Sequence, residues 1–269
     1  DFYRTVSRLE ENYDREKDAL AAKLQELTEL IFRPENLTVS LGCRSEGYER
    51  LLRTLPGLKA LLWDTAVTRH EDVLTCAVAN EGFYDASQVQ YVSRAGNFKN
   101  AGFAYTGALR ILKVILSYEY LWVNIRMKGG AYGCMSGFNR RGDGYFSSYR
   151  DPNLEKTNET YEGTPAYLRS FDIDERDMTK YIIGTFSDMD TPLTPSTRVQ
   201  RSLSAYLTGV TLEDLQKERD EVLAATQEDI RALANLVEAV LSKNAICVIG
   251  NEEKLREQAG MFKELKSLL

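Results

Sequence analysis

Arg126 and Tyr132 are the two side chains whose type and spacing invite chemistry. They lie in the run Arg126-Met127-Lys128-Gly129-Gly130-Ala131-Tyr132-Gly133. A guanidinium carries a fixed positive charge and a fork of N–H donors, and a phenol adds one O–H donor. Held on either side of a glycine turn, the pair suits the carbonyl oxygen of a peptide. The glycines let the chain turn sharply and allow another backbone to come close. Gly129, Gly130, Ala131 and Gly133 are therefore the expected substrate contacts. The same run also reads as an ordinary helix end. An arginine in a last turn complements the helix dipole, a glycine supplies the left-handed cap, and Tyr132 becomes a strand aromatic. Periodicity alone leaves both readings open.

The elements that must position this run come from hydrophobic patterning. Residues 107–127 predict a helix that is apolar nearly all round, and so buried. At about 100° per residue, Arg126 falls near the angle of Glu119, one candidate for the partner it needs, because an unpaired charge on an apolar face is costly. Residues 132–138 and 145–149 alternate as strands around a polar hairpin loop, Asn139-Arg140-Arg141-Gly142-Asp143-Gly144. Further strands are expected at 88–95 and 244–250. Helices are expected at 153–169, 174–188, 196–207, 212–225, 227–243 and 252–269. Thr211 and Thr226 read as N-terminal caps, each with an aspartate three residues on, Asp214 and Asp229. Near the start, residues 3–31 and 47–62 predict helices around a half-buried strand at 36–43. That helix–strand–helix order echoes residues 227–269 and hints at a repeated α+β unit.

Composition narrows the chemistry. The net charge is −6 and the basic residues are scattered, which argues against nucleic acid and anionic membranes as partners. No apolar run is long enough to span a bilayer. The single histidine, His70, lies in a charged segment and reads as a solvated loop residue. With one histidine the chain cannot carry a two-histidine zinc motif, and no metal site is expected in it. Cys43, Cys76, Cys134 and Cys247 form neither a zinc knuckle nor a disulfide framework, and free thiols suit a reducing compartment. The chain opens directly on a charged helical pattern without an initiator methionine, as a piece of a longer polypeptide would.

Three blocks carry a resemblance. Residues 126–133, then Gly137-Phe138, then Ser148-Tyr149-Arg150-Asp151-Pro152-Asn153 with Thr157, resemble the C-terminal half of pitrilysin/insulinase-type zinc metallopeptidases, in the presequence-protease branch. The resemblance covers most of residues 74–269, and residues 1–62 look like the end of the preceding domain. It implies an α+β fold, a two-layer sandwich with a mostly antiparallel sheet covered by helices. Expected domains are 1–65, the end of the preceding α+β domain, and 74–269, the final one. In that family two halves close around a chamber. The N-terminal half binds zinc through His-x-x-Glu-His with a distal glutamate, and the C-terminal half supplies an arginine and a tyrosine. The motif puts those roles on Arg126 and Tyr132. The resemblance thus implies a C-terminal part of a zinc endopeptidase acting on unfolded peptides, inactive alone. Its partners would be the N-terminal half of the same polypeptide, which would hold the zinc, and unfolded peptides. Its location would be a bacterial cytoplasm or an organelle matrix.

A second reading is a non-catalytic scaffold of the same fold, and a third an unrelated α+β interaction module. Retention of both Arg126 and Tyr132 favours the enzyme. Elsewhere, Asp188, Asp190 and Glu213 read as loop and helix-start carboxylates. Arg140 and Arg141 read as a solvated hairpin tip. Tyr145, Phe146 and Tyr149 read as sheet packing.

Overall fold

The computed structural model describes residues 2–67 and 79–268. His70 and Cys76 lie outside them. The chain forms two compact units, one of residues 1–75 with 192–210 and one of residues 76–191 with 211–269. Elements in chain order are α1 (Phe2–Glu11), α2 (Tyr13–Ile31), α3 (Ser45–Lys59), β1 (Glu81–Asp85), β2 (Tyr91–Asn97), α4 (Ala108–Ile115), β3 (Gly133–Phe138), β4 (Asp143–Tyr149), α5 (Glu155–Arg169), α6 (Glu175–Met189), α7 (Pro195–Thr208), α8 (Leu212–Leu223), α9 (Gln227–Ser242), β5 (Ala245–Asn251), α10 (Glu252–Glu257) and β6 (Glu264–Ser267).

The first unit holds α1–α3 and α7. None of these four helices has a buried residue. The strand expected at 36–43 does not form. After a short 3-10 turn at Pro34–Asn36 the chain runs on without a ladder, tied to α7 by the Ser40 hydroxyl donating to the Val199 carbonyl at 3.4 Å. Alternation alone makes no strand where no neighbour completes its hydrogen bonds. The echo between the two ends of the chain fails for the same reason.

The second unit is the α+β layer. Its sheet runs in the order β3-β4-β2-β5-β1-β6. The β3-β4, β4-β2 and β2-β5 pairs are antiparallel, and β5-β1 and β1-β6 are parallel. Period-two alternation sends Val92, Phe146, Ile246 and Val248 to one face, where all are buried. That face receives α4, α5 and α9. Helix α9 turns Ile230, Leu233, Ala234, Leu236, Val237, Val240 and Leu241 inward. Each larger one stabilises the fold by roughly 1.5–3 kcal/mol. It lies close on β2, where a Cβ on Gly96 would come within 2.2 Å of the Val240 carbonyl oxygen. Both expected caps form as full capping boxes, Thr211 with Asp214 and Thr226 with Asp229.

Two segments differ from expectation. Strand β1 lies in a stretch with no clear period, Glu81-Gly82-Phe83-Tyr84-Asp85. The end of the chain is not one helix. After α10 it bends, Lys263 and Glu264 donate to the Asn80 carbonyl at 2.9 and 3.2 Å, and β6 joins the edge of β1. Gly82 makes this fit, since a Cβ there would meet Leu265 at 2.7 Å. An open parallel edge outcompeted a weak local helix preference.

Candidate active site

Arg126 ends a helix that changes character along its length. From α4 the chain continues in π-helical form through Leu116–Tyr120 and Trp122–Met127. The Lys128 N–H reaches back to the Val123 carbonyl at 3.0 Å, and the Ala131 N–H to Ile125 at 3.1 Å. Such widened turns recur at functional sites. Gly130 closes the helix at φ +82°, its N–H donating to the Arg126 carbonyl at 2.9 Å. Gly129 is needed for a different reason, because a Cβ would lie 2.4 Å from the Ile125 carbonyl oxygen.

Widening the helix overturns the angular projection made at α-helical pitch. Glu119 is not the partner of Arg126. It accepts instead from the Tyr181 hydroxyl at 2.9 Å. The Arg126 guanidinium donates to the Tyr132 carbonyl oxygen. It lies 4.3 Å from the Trp122 ring centroid and 5.5 Å from that of Tyr132. The structure thus brings Arg126 and Tyr132 together at one turn.

The Ser-Tyr-Arg-Asp-Pro-Asn block is what holds that turn. The Tyr132 N–H donates to the carbonyls of Tyr149 and Arg150 at 3.1 and 3.2 Å. Asp151 is fully buried and pairs with Gln90 through both backbone groups, at 2.7 and 2.8 Å. Its carboxylate accepts from the Thr157 hydroxyl at 2.7 Å and the Asn153 N–H at 2.9 Å. The Asn153 side-chain amide then donates to the Gly129 carbonyl at 2.6 Å. Lys254 closes the loop from the other side by donating to the Pro152 carbonyl. Sequence reasoning missed Asp151 and Asn153 as positioning residues. An aspartate directly before a proline, Asp151-Pro152, is a turn-initiating pair and could have marked this segment.

The outer face of the sheet carries the aromatic partners. Tyr149 packs edge-on against Tyr132 at 5.7 Å and against Tyr91 at 5.3 Å. Tyr132 itself is 63% exposed, and its hydroxyl has no hydrogen-bond partner among the described residues. A free phenol beside a guanidinium is a donor pair facing solvent. Beneath it, Cys134 is pushed up to about 11 by burial and then by the Asp151 charge, with Arg126 opposing, so the thiol stays protonated and inert.

The four expected backbone contacts divide. Gly133 has open space where a Cβ would stand, so the fold itself does not demand glycine there. Gly130 is exposed, its role set by positive φ. The Gly129 carbonyl is already taken by Asn153. The methyl of Ala131 sits in the core at 3% exposure.

The weaker candidates resolve structurally. Asp190 forms a bidentate pair with Arg219 at 2.6 and 3.0 Å, while Asp188 and Glu213 are exposed. Arg140 is not a solvated tip. It pairs with the buried Glu218, which also binds Arg110 and accepts from the Tyr105 hydroxyl at 2.7 Å. Phe146 is core, and Tyr145 lies over Gly137, where a Cβ would meet its ring at 2.5 Å. Among the described residues, no group of three His, Cys, Asp or Glu converges as a metal site. No described helix is long and apolar enough to cross a membrane.

A family model described as the PreP C-terminal domain matches residues 80–252. Protein HypA of Clostridium perfringens is 38% identical over 269 residues, covering 100% of this chain and 27% of that protein. Presequence protease 1 of Arabidopsis thaliana, a chloroplastic and mitochondrial protein, is 29% identical over 276 residues, covering 97% and 25%. The chain spans about a quarter of the length of these curated relatives. The solved peptidase M16 inactive domain of Pseudomonas fluorescens shares the fold, with TM-score 0.52 at 15% identity over 80% of this chain and 52% of that one. With residues 80–252 matched, the chain belongs to the presequence-protease C-terminal domain family.

Proposed function

We propose that this chain is the substrate-clamping C-terminal part of a zinc-dependent endopeptidase that degrades unfolded peptides in a closed chamber. The observation that carries this reading is the convergence of Arg126 and Tyr132, one guanidinium and one unpartnered phenol, at a turn braced from three sides. Arg126 orients through the Tyr132 carbonyl and keeps further N–H donors for a ligand. Tyr132 offers its hydroxyl. Both suit a peptide carbonyl oxygen that gains charge during attack, and fixed donors need no reorganisation at that moment. Gly130 and Gly133 leave room for the peptide backbone.

This chain has no ligand set for zinc among its described residues, so the metal would be held by the N-terminal half of the same polypeptide. Zinc there would polarise the scissile carbonyl and activate water. What this chain does is bind, orient and stabilise charge. The chain alone is inactive, and its partners are the preceding half and unfolded peptides, in a bacterial cytoplasm or an organelle matrix. The test is a peptidase assay with metal analysis on this chain and on the full-length protein. The expected result is one chelator-removable zinc and activity in the full-length protein, with neither in this chain. Turnover by this chain alone, or tight zinc in it, would overturn the reading. An upstream His-x-x-Glu-His would separate the enzyme from a scaffold of the same fold.

A further inference from the structure

Arg150 stands in a backbone conformation that arginine seldom adopts. Its φ is +48°, a positive value shared among described non-glycine residues only by Asn244. Asparagine tolerates that region, whereas for arginine it costs free energy. The ladder on both sides imposes it. The Arg150 carbonyl accepts from Tyr132, and the next residue, Asp151, is locked to Gln90. A glycine would meet these constraints without strain, yet a long cationic side chain occupies the place. Strain kept at such a position points towards function.

Its surroundings say what function. The Arg150 guanidinium lies 5.7 Å from the Tyr149 ring, Tyr149 packs on Tyr132 at 5.7 Å, and Tyr132 lies 5.5 Å from Arg126. Two guanidiniums therefore flank a pair of tyrosine rings on an exposed face. Arg94, Arg110, Arg140, Arg169, Arg219, Arg231 and Arg256 all reach a carboxylate. Among the described residues Arg126 and Arg150 do not, and neither do Arg141 and Arg176, although the chain carries a net charge of −6. The nearest carboxylate in sequence, Asp151, is buried and turned to Thr157 and Asn153.

We propose that Arg150 is a specificity-determining residue that takes a carboxylate of the bound peptide, across the tyrosine pair from the carbonyl held at Arg126. This rests on the reading that Arg126 and Tyr132 hold the substrate. The carboxylate comes from an acidic side chain or from the peptide's own C-terminus, and the test separates the two.

The test uses the full-length protein and matched peptides: Glu against Gln at each position near the cleaved bond, and free acid against C-terminal amide. Kd from fluorescence anisotropy serves if turnover is absent. The wild type should favour the carboxylate by roughly three- to tenfold in kcat/KM, less at high salt. A preference confined to one Glu position identifies a side chain, and a free-acid preference identifies the terminus. Arg150→Gln should bring the ratio near one, and Arg150→Lys should keep part of it. Arg150→Gly should lose the preference while its Tm holds or rises, because the strain is relieved. Equal handling of Glu and Gln, and of acid and amide, by the wild type would overturn the proposal. So would a preference that survives Arg150→Gln. Each ratio is internal to one enzyme, so it stands apart from the Arg126 and Tyr132 variants, whose near-normal turnover would instead defeat the parent reading.

Discussion

The side-chain amide of Asn153 donates to the carbonyl oxygen of Gly129 at 2.6 Å, tying the segment before α5 to the last turn of the helix that presents Arg126. Replacing Asn153 with Ala leaves that carbonyl without its partner and should lower stability by about 1 kcal/mol. The Arg126 side chain remains, but its turn loosens. Turnover of the full-length enzyme should fall several-fold, with Arg126 itself untouched. Thermal melting and steady-state kinetics on one preparation check this. A lowered Tm with unchanged turnover would show that the brace does not position the site.

The three glycines of the turn should respond differently to alanine. Gly129→Ala drives a Cβ to 2.4 Å from a backbone oxygen and should destabilise most. Gly130→Ala meets nothing closer than the Pro152 ring at 3.5 Å, so its cost is that of a positive φ, roughly 1–2 kcal/mol. Gly133→Ala enters open space and should change stability by no more than about 0.5 kcal/mol. If peptide backbone approaches at Gly133, that variant alone should lose activity without losing stability. Chemical denaturation of the three variants alongside peptide turnover gives the ranking.

Acid should unfold the second unit partly through Glu218. Burial alone would raise this carboxyl, but hydrogen bonds and charge from Arg110, with Tyr105 and Arg140, outweigh it and hold the group below its usual value. A depressed folded-state value contributes stability above the unfolded carboxylate range, near pH 4.3, and loses it as pH falls through the folded value. Glu218→Gln should cost about 2 kcal/mol at neutral pH, less than a fully buried pair because both arginines are partly exposed. It should also flatten the acid limb of the stability curve. An unchanged acid limb in urea titrations from pH 7 to pH 3 would assign the loss to other groups.

Much of this arrangement is legible in the chain itself. The caps at Thr211 and Thr226 follow from local hydrogen bonding, which sequence spacing encodes directly. Strand β4 alternates cleanly because one face is core and the other open. Other features depend on partners distant in sequence. Strand β6 forms because β1 offers an edge, and among the described residues no strand pairs with 36–43, which stay irregular. The Glu119 pairing failed because the helix widens beyond Ile115, and a projection at α-helical pitch carries no sign of that. The Arg140–Glu218 contact joins a hairpin tip to a helix residue 78 positions later, beyond the reach of any local pattern.

The most direct measurement of the central claim compares Arg126→Ala and Tyr132→Phe in the full-length enzyme, with turnover and Tm taken on the same preparations. The Tyr132 hydroxyl has no partner within the described chain, so Tyr132→Phe should leave Tm unchanged. Arg126→Ala gives up the contacts with Trp122 and the Tyr132 carbonyl and should cost on the order of 1 kcal/mol. Turnover should fall roughly 100- to 1000-fold in each, the usual loss for one charge-stabilising donor. Near-normal turnover in both variants would show that Arg126 and Tyr132 are a helix end and a strand aromatic, and would contradict the account.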